Sequence, residues 1–124
     1  MARLILYGGY AAGFAHAPDS PARTEFRAVV DLSRVSWAKD NPAFRSVFTS
    51  QFIPGGSDEQ LRWFNDLCRR STTGPTAARL LEACSNIDVR PLLRQVSTPT
   101  LVLHARHDAV VPVTAGRRLV SCQA

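Results

Sequence analysis

Asp108 is the position most suggestive of chemistry, because it follows the clearest predicted strand of the chain. Residues Thr100 to Ala105 form a continuous apolar and β-branched run interrupted by His104 alone, and Pro99 marks its start. Such runs are typical of parallel strands covered on both faces. In open α/β sheets the functional groups lie just beyond the carboxyl ends of the strands, where Asp108 falls. Asp108 is therefore a candidate functional carboxylate, and the alternative is a turn former or helix cap.

The three histidines give little support for a catalytic base or a metal ligand. His16 falls in a predicted loop and is interpreted as a surface residue. His104 interrupts the buried strand, where a neutral, hydrogen-bonded core histidine is favoured over a ligand. His107 neighbours Asp108, but adjacent residues in a tight loop usually point apart. We therefore predict no catalytic pair from these residues.

The sequence lacks the common motifs for nucleotides, metals and serine nucleophiles. Its seven glycines form neither G-x-G-x-x-G nor G-x-x-x-x-G-K-[ST], and G-x-S-x-G does not occur. Cys68, Cys84 and Cys122 are widely spaced, with no C-x-x-C or Cys/His pairing. No cofactor and no metal are expected. Cys68 and Cys84 fall on apolar helix faces and are predicted to be small buried hydrophobes, which fits a reducing cytoplasm.

Length and composition are those of one soluble domain at most. The 124 residues are 45% hydrophobic and 20% charged, with a net charge of +5 that comes almost wholly from arginine. Those arginines are scattered, and dispersed arginine is normally a solvated surface, so nucleic-acid binding by this segment is not expected. The apolar run at the N-terminus is too short for a signal peptide or a membrane span. We expect a cytoplasmic protein with no membrane partner.

The predicted order is strand, long helical insertion, strand and the beginning of a helix. Residues 1–9 hold a core strand, Arg3-Leu-Ile-Leu-Tyr7, closed by two glycines. Residues 10–86 hold a loop and four helices, whose starts are predicted by proline and capping signals at Ser20-Pro21, Asn41-Pro42, Ser57–Gln60 and Gly74-Pro75. Residues 87–124 hold the second core strand, the loop with Asp108 and a helix from Thr114 to Cys122.

Two apolar strands joined through helices predict the α/β class, with two parallel core strands separated by a helical insertion. Two strands alone cannot form a sheet that is covered on both faces. We therefore expect an incomplete fold, a piece of a larger one.

Residues Pro99 to Pro112, P-T-L-V-L-H-A-R-H-D-A-V-V-P, resemble the seventh-strand segment of the α/β-hydrolase fold. Arg3 to Gly8 looks like the sixth strand of that superfamily, and the residues between the two strands then correspond to its cap. The segments Asp40–Arg45, Phe48–Pro54 and Glu59–Asn65 are similar to hydrolase modules attached to bacterial class III cyclase or LuxR-type regulators. The chain thus resembles an incomplete α/β-hydrolase fold, cap plus acid-bearing strand.

The resemblance implies that Asp108 is the acid that orients a catalytic histidine, in the order Ser, acid, His. The serine and the histidine of that pattern are absent from the sequence, so the chain alone is expected to be inactive. The cap residues would line a pocket for a small apolar or acyl substrate, and the alternative is packing of the cap helices on each other. These candidate substrate-binding residues are Phe44, Phe48, Phe52, Trp63 and Phe64.

Three hypotheses on function follow. The first is a fragment of a serine hydrolase that acts on esters or related acyl compounds. The second is a non-catalytic module that senses a small ligand, fused to or encoded beside a cyclase or helix-turn-helix domain. The third is a decayed gene fragment, which predicts a protease-sensitive and poorly soluble product.

Overall fold

The computed structural model describes residues 2–41 and 43–121, and helices dominate it. Helical residues make up 57% of this part of the chain. Two short strands, β1 and β2, and helices α1 to α6 follow one another, with a 3₁₀ turn at Phe14–His16. Their bounds are β1 Leu4–Tyr7, α1 Pro21–Ser36, α2 Ala43–Phe52, α3 Asp58–Ser71, α4 Gly74–Ser85, α5 Arg90–Leu93, β2 Thr100–Leu103 and α6 Val113–Ser121. Pro42 and Cys122, which belong to predicted helix signals, lie outside the described residues.

Local signals in the sequence account for the helix starts. The Ser20 side chain accepts a hydrogen bond from the Arg23 amide at 3.3 Å, and Pro21 is the first residue of α1. Both bonds of the predicted capping box are present at α3, since Gln60 N donates to Ser57 Oγ at 3.3 Å and Ser57 N donates to Gln60 Oε1 at 2.9 Å. These helix starts are confirmed because they depend on chemistry within one turn.

The two strands pair in parallel, with Leu4 opposite Thr100 and Tyr7 opposite Leu103. On one face, Leu6 and Val102 pack against a core cluster formed by Ala11, Leu93 and Leu119. The opposite face carries two apolar cross-strand pairs that remain exposed. In the first pair Ile5 is 64% exposed and Leu101 is 53% exposed. In the second pair Tyr7 is 78% exposed and Leu103 is 45% exposed.

The α/β fold class predicted from the sequence is wrong. The described part of the chain is a helix-dominated small fold in which a two-stranded sheet is a minor component, not an incomplete α/β-hydrolase fold. The physical reason is that the helices pack chiefly on each other, α1 against α4 and α2, and α2 against α3. They do not cover both faces of the sheet as an α/β fold requires.

The helices share a second core cluster around Trp37, Cys68 and Ala77, with Phe48 and Phe64 packed against it. The Trp37 indole donates a 2.9 Å hydrogen bond to the Cys68 carbonyl, which ties the end of α1 to α3. Cys68 is buried as predicted, whereas Cys84 is only half-buried.

Close backbone approach links α1 to α4. A β-carbon at Gly74 would lie 2.7 Å from the Arg34 carbonyl oxygen and 2.9 Å from that of Ser33. Ala77 and Ala78 are buried in the next turn of α4. Small residues at this contact allow the two helices to pack with little side chain between them.

Candidate functional site

Asp108 lies in the turn that connects β2 to α6, at the carboxyl end of the strand pair. Its Oδ1 accepts hydrogen bonds from the amides of Val110 at 2.9 Å and Val111 at 2.8 Å. This is the arrangement of an aspartate that shapes its own turn. The same two bonds fix the carboxylate in one orientation.

The second carboxylate oxygen of Asp108 is directed toward the end of the neighbouring strand. A β-carbon at Gly8 would lie 3.9 Å from Oδ2, and Gly8 adopts a φ of +63°, which glycine tolerates best. The Gly8 amide donates to the Leu103 carbonyl at 2.9 Å, so the last residues of both strands are held together. The Asp108 side chain as a whole remains 25% exposed.

The His104 side chain contacts this turn. Its Nε2 lies 2.7 Å from the Val111 carbonyl oxygen and 3.9 Å from Asp108 Oδ2, and its side chain is 5% exposed. The short distance to a carbonyl requires an N–H on Nε2, so Nδ1 is left buried without a hydrogen-bond partner. The prediction of a buried, hydrogen-bonded histidine is confirmed. A ring nitrogen committed to a backbone carbonyl does not fit the role of a general base.

The other two histidines do not approach Asp108. His16 is exposed, with Nε2 at 3.1 Å from the Asn86 carbonyl oxygen and Nδ1 at 3.9 Å from Asp88 Oδ2. The interpretation of His16 as a surface residue is confirmed, and its ring makes these two contacts in addition. His107 is exposed, and it makes no ion pair with Asp108 within the described residues, as expected for neighbours in a tight loop.

Sequence reasoning did not single out the cluster of Asp88, Arg90 and His16. The Arg90 guanidinium donates to both carboxylate oxygens of Asp88, at 2.8 Å from Nε and 2.6 Å from the terminal nitrogen. These hydrogen bonds lower the pKa of Asp88 to about 2, helped by the positive charges of Arg90 and His16 and opposed by partial burial. The same carboxylate raises the pKa of Arg90. The sequence signal that could have indicated this ion pair is an Asp two residues before an Arg.

The predicted substrate-binding aromatics divide into two groups. Phe48 and Phe64 pack on the Trp37 cluster, and Phe52 links them, with ring centroids 4.8 Å from Phe48 and 5.9 Å from Phe64. Phe52 is nevertheless 46% exposed, and Phe44 and Trp63 are exposed by 40% and 63%. The packing of helices on each other accounts for Phe48 and Phe64, whereas Phe44, Phe52 and Trp63 present surface to a ligand.

A groove lies elsewhere on the molecule, between α1, α4 and the 3₁₀ turn. Its volume is about 380 Å³, and residues of all three elements line it, among them Phe14, Phe26, Arg27 and Glu82. None of the candidate residues predicted from the sequence borders it. The groove combines positions about 60 residues apart in the chain, so no local pattern could have indicated it.

Within residues 2–41 and 43–121, no three His, Cys, Asp or Glu side chains are grouped so that they could hold a metal ion. The same residues include no helix with the length and apolar content that crossing a bilayer requires. Comparisons with family models, curated proteins and solved structures found no match for this chain.

Proposed function

We propose that this chain supplies the acid of a serine-type hydrolytic site, with Asp108 in that role, and that it hydrolyses no ester by itself. The observation that carries the proposal is the geometry of the Asp108 carboxylate. One oxygen is fixed by two backbone amides, while the other faces the end of β1 and accepts neither of those bonds. The resemblance of residues Pro99–Pro112 to an acid-bearing segment of hydrolases also supports it.

The proposed role needs only the free oxygen. Oδ2 would accept the Nδ1–H of a catalytic histidine, fix its tautomer and stabilise the imidazolium that forms as a serine is deprotonated. His104 cannot take that part while its Nε2 donates to the Val111 carbonyl. The base and the nucleophile would therefore come from polypeptide outside these 124 residues, and the substrate would be an ester or related acyl compound.

Exposed aromatic side chains support an apolar substrate. Phe44 and Trp63 present ring surface that could receive an acyl chain, whereas Phe48 and Phe64 would act through packing beneath them. The cytoplasm is the proposed compartment, supported by Cys68 and Cys84, which form no disulfide.

Ester hydrolysis by the purified chain is the first test. We expect no turnover of a short p-nitrophenyl ester above the buffer rate, for the wild type and for Asp108→Asn alike. Hydrolysis by the wild-type chain that disappears in Asp108→Asn would overturn the claim that the chain is inactive alone.

The second test supplies the proposed catalytic histidine and serine together with the chain. When it is joined to the polypeptide encoded upstream in the same frame, Asp108→Asn should lower kcat by a factor on the order of 10⁴, because the histidine loses its correct tautomer. Asp40→Asn is the matched control, since Asp40 is an exposed carboxylate away from the Asp108 turn. Equal effects of the two substitutions would remove Asp108 from the catalytic role.

The alternative function is a non-catalytic module that binds a small ligand, next to a cyclase or helix-turn-helix domain. Two observations favour it: the described histidines offer no base to Asp108, and the groove between α1 and α4 lies apart from it. The upstream coding sequence separates the two candidates. A G-x-S-x-G motif after a strand supports the hydrolase, and an equivalent turn without serine beside a regulatory domain supports the sensor.

A further inference from the structure

The groove between α1, α4 and the 3₁₀ turn has the size of a small-molecule site. Its volume of about 380 Å³ lies toward the lower end of the range of roughly 300–1,000 Å³ that such sites occupy. One wall is apolar: the rings of Phe14 and Phe26 are stacked with centroids 4.8 Å apart, and Val30 continues the wall along α1. This wall suits a flat or branched apolar group.

Two of the four charged side chains in the groove already have partners. Glu82 forms an ion pair with Arg34 on the neighbouring helix. Arg23 donates from one terminal nitrogen to the Ala17 carbonyl at 3.1 Å and to Asp19 at 3.0 Å. The Nε–H of Arg23 is buried without a hydrogen-bond partner, so it is not presented to a ligand in the groove.

The other two charged side chains are uncommitted. Among residues 2–41 and 43–121, neither Arg27 nor Asp31 has a hydrogen-bond or ion-pair partner, although both line the groove. They stand one helical turn apart on α1, on the side that carries Phe26 and Val30. Within the described part of the chain, the groove thus presents a cation and an anion without partners beside an apolar wall.

We propose that this groove binds a small zwitterion with an apolar side chain, the chemistry of an aromatic α-amino acid. The ligand carboxylate would accept hydrogen bonds from the Arg27 guanidinium. Its ammonium group would donate to Asp31, and its side chain would pack on Phe14 and Phe26. The site shares no residue with the Asp108 turn, so it stands whether or not Asp108 is a catalytic acid.

Titration of the full chain with four small molecules tests the match of charge and shape. L-Phenylalanine carries all three features, whereas 3-phenylpropanoate lacks the ammonium, 2-phenylethylamine lacks the carboxylate and glycine lacks the ring. We expect saturable amide shifts at Ser85 and Asn86 with a Kd for phenylalanine on the order of 1 mM, and at least about fivefold weaker binding of each analogue. No saturation at tens of millimolar phenylalanine, or an analogue that binds as well, would overturn the proposal.

Two substitutions assign the charged contacts. Asp31→Asn should weaken phenylalanine about fivefold and leave 3-phenylpropanoate within about twofold, because only phenylalanine has an ammonium group. Arg27→Gln should weaken both ligands by about fivefold or more. Arg62→Gln, on the exposed surface of α3, is the matched control and should change neither. If Asp31→Asn and Arg27→Gln both bind phenylalanine like the control, the groove is not the site. A loss of folding in either variant is detected by the dispersion of the amide signals. In that case the analogue series on the wild type decides whether the groove binds phenylalanine.

Discussion

At the residue scale, the clearest electrostatic feature is the bidentate pair of Asp88 and Arg90 beside His16. The pair lowers the pKa of Asp88 to about 2, chiefly through the Arg90 hydrogen bonds. A carboxylate with a lowered pKa in the folded state stabilises the protein above its unfolded pKa of roughly 4, and that contribution is lost as the pH falls toward 2. The contribution should thus be fully present at neutral pH and be lost as the pH falls from roughly 4 toward 2.

Titration by NMR of the Asp88 carboxyl carbon checks this assignment. We expect an apparent pKa of about 2 in the wild type and a clear rise toward the ordinary value of 3.8 in Arg90→Gln. Arg94→Gln serves as the control, because Arg94 lies on the same short segment and should leave the titration unchanged. An Asp88 pKa that does not respond to Arg90→Gln would contradict the attribution to Arg90.

Residue identity alone could indicate Asp108 but not its surroundings. The position after an apolar run predicted a carboxylate beyond β2, and the structure places it there. That Val110 and Val111 bind one oxygen, and that Gly8 faces the other, depends on how the turn folds against β1. The two amide bonds to Oδ1 are compatible with both a turn former and a catalytic acid, so the role of Asp108 stays a prediction.

At the element scale, α6 approaches the residue that follows β2 closely at one glycine. A β-carbon at Gly116 would lie 2.6 Å from His104 Nδ1, and the ring has little room to move because its side chain is 5% exposed. Alanine has a better helix propensity than glycine by about 1 kcal/mol, whereas overpacking in a core costs typically 1–3 kcal/mol. The steric cost of a methyl group at position 116 should therefore exceed the gain in helix propensity.

A double-mutant cycle in chemical denaturation separates the two terms. Gly116→Ala should lower the free energy of unfolding by about 1–2 kcal/mol in the wild type. In the background of His104→Ala the same change should be neutral or stabilising by up to about 1 kcal/mol, because the added methyl meets no ring. A stability gain from Gly116→Ala in the wild type would show that His104 moves aside freely.

Most elements were predictable because their ends depend on neighbouring residues. Ser20, Ser57 and the prolines near them act within one turn, so α1 and α3 begin where the sequence indicates. The contact of α1 with α4 joins positions far apart in the chain, and nothing local predicts it. The groove and its charged side chains were missed for the same reason.

At the scale of the whole molecule, the two strands explain why the predicted fold class was wrong. Their continuous apolar runs predicted burial on both faces, but Ile5, Tyr7, Leu101 and Leu103 remain exposed while Leu6 and Val102 face the core. Apolar composition shows what a strand could bury, not whether another element of the chain covers it. The helices instead bury their apolar faces mainly against one another.

The two faces of the sheet should therefore contribute unequally to stability. Ile5→Thr with Leu101→Thr changes an outward cross-strand pair to residues of good strand propensity, and the free energy of unfolding should change by less than about 1 kcal/mol. Leu6→Thr with Val102→Thr is the matched inward pair, and it should cost about 2–5 kcal/mol because both side chains contact the core cluster. The outward variant should also bind less of an apolar dye and associate less in light scattering, since it removes exposed apolar surface. Equal destabilisation by the two pairs would mean that the outer face is covered in solution, and the absence of any cooperative unfolding transition would support the hypothesis of a decayed fragment.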